Sequence, residues 1–343
     1  MSQNSCIKDF VQGTKVKNFF ICSEIKVKES KTGDKFADIT LTDKTGELNL
    51  KIWNYSAYVA PWLVSGCIVF VSGAVVKEYN GALQISFDSN LISDMIRLAS
   101  HQEVDMSFLL KATNEDVGAL TEELREIIES VSKQPIKCIL NSLFFNDEEF
   151  MARFTLWPAA VKHHHAYAGG LLEHTIGVAR ICIMTAGNYS AADKDILIAG
   201  ALIHDIGKAK SYDYDMSKGT ITVSPEGLMA DHIQLGVDML VEKANNMCNM
   251  CPKRKESCTT LTKDMLLHLK HLILSHHGVL EWGSPVQPAT IEATILHFAD
   301  NMDAQVNKFQ RVISECQGTP YAGNFKFIDV LGRSVFIPDK SEE

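Results

Sequence analysis

The chain has 343 residues, 46% of them apolar and 22% charged, which is enough to bury the cores of two domains and leaves no room for long disorder. Its formal net charge of −9 withholds support from a polyanionic partner without excluding one. Residues 1–100 hold 11 Lys+Arg against 10 Asp+Glu and the remainder 22 against 32, so the acidic excess sits where carboxylates that hold cations would reverse the local field. Nine cysteines without a framework spacing, no basic start followed by an apolar run, and no apolar stretch of about 18 residues point to a cytoplasmic location, with neither secretion nor a membrane span.

In chain order, residues 11–92 read as strands. Segments 16–22, 36–42, 48–53, 67–76 and 83–87 alternate apolar and polar residues and are broken by turns such as Asp43-Lys44-Thr45-Gly46. Five strands in about 80 residues is the size of a small antiparallel barrel of the oligonucleotide-binding (OB) type. Ile39-Thr40-Leu41-Thr42-Asp43-Lys44-Thr45-Gly46-Glu47, followed by Lys51-Ile52-Trp53, resembles the OB-fold family that binds single-stranded nucleic acid. Phe36, Trp53, Tyr55 and Tyr58 are candidates to stack on bases, and Lys44 and Lys51 to meet phosphates. The competing reading puts Phe36 and Trp53 in the barrel core.

From about residue 104 the hydrophobic period becomes helical. Thr121 with Glu122 and Glu123 behind it reads as a helix start. Leu124, Ile127, Ile128 and Val131 fall on one face, and Gln134-Pro135 reads as the end. A further helix over 136–154 leads to Trp157-Pro158, and residues 159–315 are mostly helical. Ile196-Leu197-Ile198-Ala199-Gly200-Ala201-Leu202-Ile203 is apolar on every side, as a central buried helix must be. It runs into His204-Asp205-Ile206-Gly207-Lys208, with Gly207 placed to end it. The expected layout is an all-β OB-like barrel over 1–98, a helical connector over 99–155, a catalytic helical domain over 156–315 and a tail over 316–343.

A polar pair at the inner end of a buried helix needs partners, and a metal supplies them. His174 stands 30 residues before His204 in another apolar-faced helix, and Asp300 emerges from the apolar run Leu296-His297-Phe298-Ala299. Two imidazoles and two carboxylates suit Mn²⁺, Fe or Mg²⁺ with positions left open for water and phosphate. Lys208, one turn beyond the pair, is placed to meet a phosphate oxygen.

His174, His204-Asp205 and Asp300 match the H…HD…D pattern of the HD superfamily, which implies an all-helical catalytic domain. His232 and His276 match the fuller pattern of its two-metal members, with His277 as an alternative to His276. With the barrel in front, the run His163-His164-His165-Ala166-Tyr167-Ala168-Gly169-Gly170-Leu171-Leu172-Glu173-His174-Thr175 is similar to the YhaM family of 3′→5′ exoribonucleases. So is Ser275-His276-His277-Gly278-Val279-Leu280-Glu281-Trp282-Gly283-Ser284-Pro285. The resemblance implies a Mn²⁺-dependent exonuclease on single-stranded RNA, and on single-stranded DNA as well, that releases nucleoside 5′-monophosphates. It also implies two ions, one held by His174, His204, Asp205 and Asp300, the other reached through Asp205 and completed by His232 and His276 or His277. The 3′→5′ polarity and the preference for Mn²⁺ rest on the resemblance alone.

Several residues carry two readings. His164 and His165 either touch the RNA backbone or form a polar turn; Glu173 and Asp303 either orient a ligand or are plain helical acids. Cys248, Cys251 and Cys258 form an insertion that either clamps a structural metal, with His268 or His271 as the fourth ligand, or is a polar loop with reduced thiols. The rival functions are a phosphohydrolase of small nucleotides or cyclic dinucleotides, and a nucleic-acid-binding protein with a silent HD domain. The Gly-Tyr-Pro tripeptide of the cyclic-dinucleotide class is absent from the chain. A homo-oligomer is left open.

Overall fold

The structure, a computed structural model, describes residues 6–30, 33–79, 81–104, 108–161, 165–215, 220–250, 261–317, 319–328 and 331–339, with 101 and 247–250 described by their backbone alone. It falls into two compact units, one of residues 1–112 with 214–221, the other of 113–213 with 222–343.

The first unit is built on β1 (Lys15–Glu29), β2 (Lys35–Asp43), β3 (Gly46–Trp53), β4 (Ile68–Val75), β5 (Lys77–Tyr79) and β6 (Ala82–Asp88), then a single turn of helix α1 (Ile92–Met95) and β7 (Ile96–Leu98). The sheet order is β5-β6-β3-β2-β1-β4-β7. β1 is long enough to serve two neighbours: its first half pairs with β4 and its second with β2, with a register shift at Cys22/Glu24 that bends it as a barrel corner requires. The period of two is clean on β2 and β3, where Ala37, Ile39, Leu41, Leu48, Leu50 and Ile52 face inward and are buried. Asp43 closes the β2–β3 turn, its Oδ1 accepting from Thr45 N (2.7 Å) and Gly46 N (3.1 Å). The expected OB-like barrel is therefore present, with β3 and β6 paired in parallel instead of antiparallel throughout, and with seven strands rather than five because β5 and β7 are too short to show a period.

The second unit is helical around one core. α2 (Val117–Ser130), α3 (Gln134–Phe144) and α4 (Glu148–Leu156) precede α5 (Gly170–Ala186) and α6 (Lys194–Ile203). The short α7 (Lys208–Ser211), the kinked α8 (Pro225–Met250), α9 (Lys263–Ser275) and α10 (Ile291–Cys316) follow. α6 is buried from Asp195 to Ile203 and packs on α5, α9 and α10, as its all-round apolarity requires. Three boundaries differ from expectation, the first being that the helix expected over 136–154 is broken at 145–147 into α3 and α4. α2 starts at Val117, because Asp116 caps the Gly118 and Ala119 amides and Leu120 opens the buried face before Thr121 is reached. Pro135 lies in the first turn of α3 instead of ending α2, a position where its missing N–H costs nothing.

The second half is also not purely helical. β8 (Tyr212–Asp215) pairs with β9 (Thr220–Val223), and the expected tail contains β10 (Asn324–Ile328) and β11 (Arg333–Ile337) as a hairpin. Val335 and Ile337 bury against Cys316 at the end of α10, which gives that hairpin a small core of its own. No helix among the described residues is long and apolar enough to cross a membrane.

Candidate metal centre

The ends and faces of five helices deliver the candidate ligands. His174 lies in the second turn of α5, His204 caps the C-terminus of α6 with Asp205 just after it, and Asp300 sits mid-way along α10. His276 caps α9 and His232 follows the kink of α8. His174, His204, Asp205, His232 and His276 are all buried.

Asp205 is the hub. Its Oδ2 lies 3.4 Å from both His174 Nε2 and His204 Nε2, while Oδ1 lies 3.6 Å from both His232 Nε2 and His276 Nε2. Asp300 Oδ1 joins the first set, 3.2 Å from His174 Nε2 and 4.0 Å from His204 Nε2. His277 joins the second: its ligand nitrogen lies within 4.8 Å of those of His232 and His276. The two sequence alternatives, His276 and His277, are thus both brought to the site.

The other nitrogen of each ring is held from outside. His204 Nδ1 is 2.8 Å from Ala201 O, His276 Nδ1 2.7 Å from Ile273 O, and His277 Nδ1 2.9 Å from Trp282 O. His174 Nδ1 is 2.7 Å from Asp303 Oδ2, and His232 Nδ1 meets the Asp231 carboxylate. An acceptor on Nδ1 keeps the proton there and turns the Nε2 lone pair inward. His174 Nε2 and His204 Nε2 then face each other at 3.3 Å, an arrangement that a shared cation would stabilise. Asp205 Oδ1 and His232 Nε2 are buried without a hydrogen-bond partner, although a buried polar atom is costly to leave unpaired. This donor set, with its inward-facing orphaned atoms, fits divalent ions.

Local backbone chemistry makes the convergence possible. Gly207 is right-handed helical (φ −64) and does not end α6 by a left-handed turn. Its role is close approach: a Cβ there would stand 1.9 Å from His232 O, so only glycine lets the turn after Asp205 meet α8. Asp231, at φ 59 and ψ 159, occupies a region nearly reserved for glycine, strain that is stored immediately before a candidate ligand.

Electrostatics follow from the packing. Burial opposes ionisation of Asp205, but Lys208 and His204 outweigh it and hold the carboxyl well below the usual range. Burial likewise opposes charge on His174, yet Asp205, Asp300 and Asp303 raise it well above the ordinary imidazole value. Burial, then His277, pushes His276 well below the ordinary value, leaving it neutral as a metal ligand must be. Lys208 is buried with Nζ 2.5 Å from Asp205 Oδ2.

The remaining candidates are placed as follows. His163 and His164 lie outside the described residues, as do the side chain of Cys248 and all of Cys251 and Cys258. His268 Nε2 is 3.2 Å from Glu292, and His271 Nε2 accepts from Ala289 N, so both imidazoles are already engaged by protein. His165 does not reach solvent as a substrate contact would; it is 3% exposed with Nε2 on Asp303 and Nδ1 beside the Tyr167 hydroxyl. In the first unit Trp53 is 37% exposed, so it is not barrel core, and its ring lies 4.9 Å from that of Phe36 on the outer face of β2 and β3. Lys51 Nζ stands 5.9 Å above Phe36 and 5.7 Å above Tyr79. Tyr58 is exposed, whereas Tyr55 is buried in the barrel core. Sequence reasoning passed over Asp231, whose only local signal is its place next to His232.

Residues 171–305 match the model of the HD domain, and residues 20–90 that of the OB-fold nucleic acid binding domain. A curated protein of Halalkalibacterium halodurans, "3'-5' exoribonuclease YhaM", is 27% identical over 330 residues, which is 96% of this chain and 95% of that protein. Among solved structures, an OB domain from Thermoplasma acidophilum aligns at 21% identity over 29% of this chain and 88% of its own, with a TM-score of 0.22. The second OB-fold domain of replication protein A from Methanococcus maripaludis aligns at 22% over 29% of this chain and 96% of its own, also at 0.22. The chain is similar to the YhaM exoribonuclease over nearly its whole length and matches an OB-fold domain followed by an HD domain.

Proposed function

We propose that the chain is a Mn²⁺-dependent 3′→5′ exoribonuclease that hydrolyses single-stranded RNA, and single-stranded DNA, to nucleoside 5′-monophosphates. The observation that carries the proposal is Asp205, whose two oxygens each face a separate pair of inward-turned imidazole nitrogens. His174, His204 and Asp300 would hold one ion and His232, His276 and His277 another, with one oxygen of Asp205 turned to each set. Divalent ions bound there supply charge neutralisation at the phosphate and acidify water at neutral pH.

The chain's own residues do the positioning. Lys208, buried beside Asp205, offers an ammonium to a non-bridging phosphate oxygen. Phe36, Trp53 and Lys51 provide an aromatic surface with a cation on the outer face of the barrel, the combination that holds a single strand without sequence preference. The 3′→5′ polarity and the RNA substrate are taken from the printed activity of the Halalkalibacterium halodurans relative.

The test uses 5′-labelled single-stranded RNA with Mn²⁺, the same strand carrying a 3′-phosphate block, a matching DNA, and free and cyclic nucleotides in parallel. A ladder shortening from an open 3′ end, with nucleoside 5′-monophosphates as product, is expected. Turnover of the small molecules alone would mark a nucleotide phosphohydrolase, and RNA binding without turnover would mark a silent HD domain.

A further inference from the structure

Asp303 lies one turn beyond Asp300 on α10 and faces neither set of inward-turned nitrogens. Its Oδ2 instead stands 2.7 Å from His174 Nδ1 and 2.9 Å from His165 Nε2. α5 leaves a notch for it, since a Cβ on Gly177 would come within 2.3 Å of Asp303 Oδ1. His165 is in turn pinned on several sides. Its amide donates to Asn307 Oδ1 (3.3 Å), its carbonyl accepts from Ala159 N (3.0 Å), and the Tyr167 hydroxyl lies 3.0 Å from Nδ1. That hydroxyl donates to Glu173 Oε1 at 3.1 Å and accepts from Asn307 Nδ2 at 3.3 Å. The φ of +51 at His165 is uncommon for a residue with a side chain and persists because so many contacts define the turn.

The neighbours of His174 give this clamp its effect. His204 and His276 have their Nδ1 atoms anchored by carbonyls of their own helices, which come with the helix. At His174 the Nδ1 atom meets the Asp303 carboxylate at 2.7 Å, and two further carboxylates, Asp205 and Asp300, stand at its Nε2. Those carboxylates attract a proton to the nitrogen that a metal ligand must leave bare. A third carboxylate on Nδ1 opposes them with a charge-assisted bond, which is stronger than one to a neutral acceptor.

We infer that Asp303 is a positioning residue, held in place by His165, that keeps the proton of His174 on Nδ1 and offers its Nε2 to a divalent ion. This rests on the metal-centre reading. Loss of such an outer partner weakens metal binding by about 10–100-fold in comparable sites.

Mn²⁺ affinity, measured by electron paramagnetic resonance of the free ion, tests the inference on the full chain without reference to activity. Wild-type binding tests the metal centre itself; the ratio of variant to wild type tests Asp303. Asp303→Ala is expected to weaken Mn²⁺ binding by about 10–100-fold, with kcat largely recovered at saturating Mn²⁺. Asp303→Asn, which keeps an oxygen for Nδ1–H, should lose less, and His165→Gln less again. A folded Asp303→Ala protein that binds Mn²⁺ as wild type does would overturn the inference. So would a loss of kcat that saturating Mn²⁺ leaves unrecovered in Asp303→Ala and Asp303→Asn alike. If Asp303→Ala does not fold, Asp303→Asn decides: weakened affinity with an unchanged circular dichroism spectrum supports the role, and unchanged affinity overturns it.

Discussion

At the scale of single residues, the account depends on Asp205 having two distinct oxygens to give. Replacing it by Ala removes a ligand from both sets and leaves Lys208 buried without its partner. Turnover of RNA should fall to background and Mn²⁺ stoichiometry should drop, as read by a gel assay and metal analysis; full activity in a variant of native fold would contradict the assignment. Gly207→Ala is a steric test of the same centre. A methyl group 1.9 Å from His232 O must push the α8 backbone away, and overpacking of this kind costs about 1–3 kcal/mol. Urea denaturation should show that loss together with weaker Mn²⁺ binding, and an unchanged midpoint would refute the close-approach role. His204 and Asp205 were legible in the sequence because a polar pair at the end of an all-apolar helix is a contradiction that only a partner resolves. The nitrogen each ring presents was not, since Ala201 O, Ile273 O and Trp282 O are backbone atoms with no residue signature.

At the scale of elements, the periods of two and 3.6 separated barrel from helices correctly, while boundaries depended on tertiary burial. Asp116 and Thr121 are equally good caps locally; Leu120, buried on the core, decides for Asp116. The two hairpins β8–β9 and β10–β11 escaped notice because strands of four or five residues are too short to establish alternation. The outer face of β2 and β3 makes its own prediction. Stacking on an aromatic ring contributes about 1–3 kcal/mol per base, so Trp53→Ala should weaken binding of single-stranded RNA by roughly 5- to 150-fold. Lys51→Ala should lower the salt dependence of binding by about one phosphate contact. Fluorescence anisotropy at several salt concentrations reads both, and unaltered affinity in both variants would remove this face from the binding surface.

At the scale of the whole molecule, a net charge of −9 and a nucleic-acid substrate are compatible if bound cations change the field at the site. An ion held by five inward-turned imidazoles and two carboxylates would also be part of the folded state. Ligand linkage gives about 2.7 kcal/mol of stabilisation at a hundredfold excess over the dissociation constant. Stripping divalent ions with a chelator should therefore lower the melting temperature of the second unit, and Mn²⁺ should restore it; a chelator-insensitive transition would contradict a metal-bound core. The central claim is that the Asp205-centred site cuts an RNA strand with divalent ions. The most direct measurement is a time course on 5′-labelled single-stranded RNA with the metal-stripped chain, before and after Mn²⁺ is returned. No cleavage before and a shortening ladder after is the expected result, and a ladder of equal rate without added metal would contradict it.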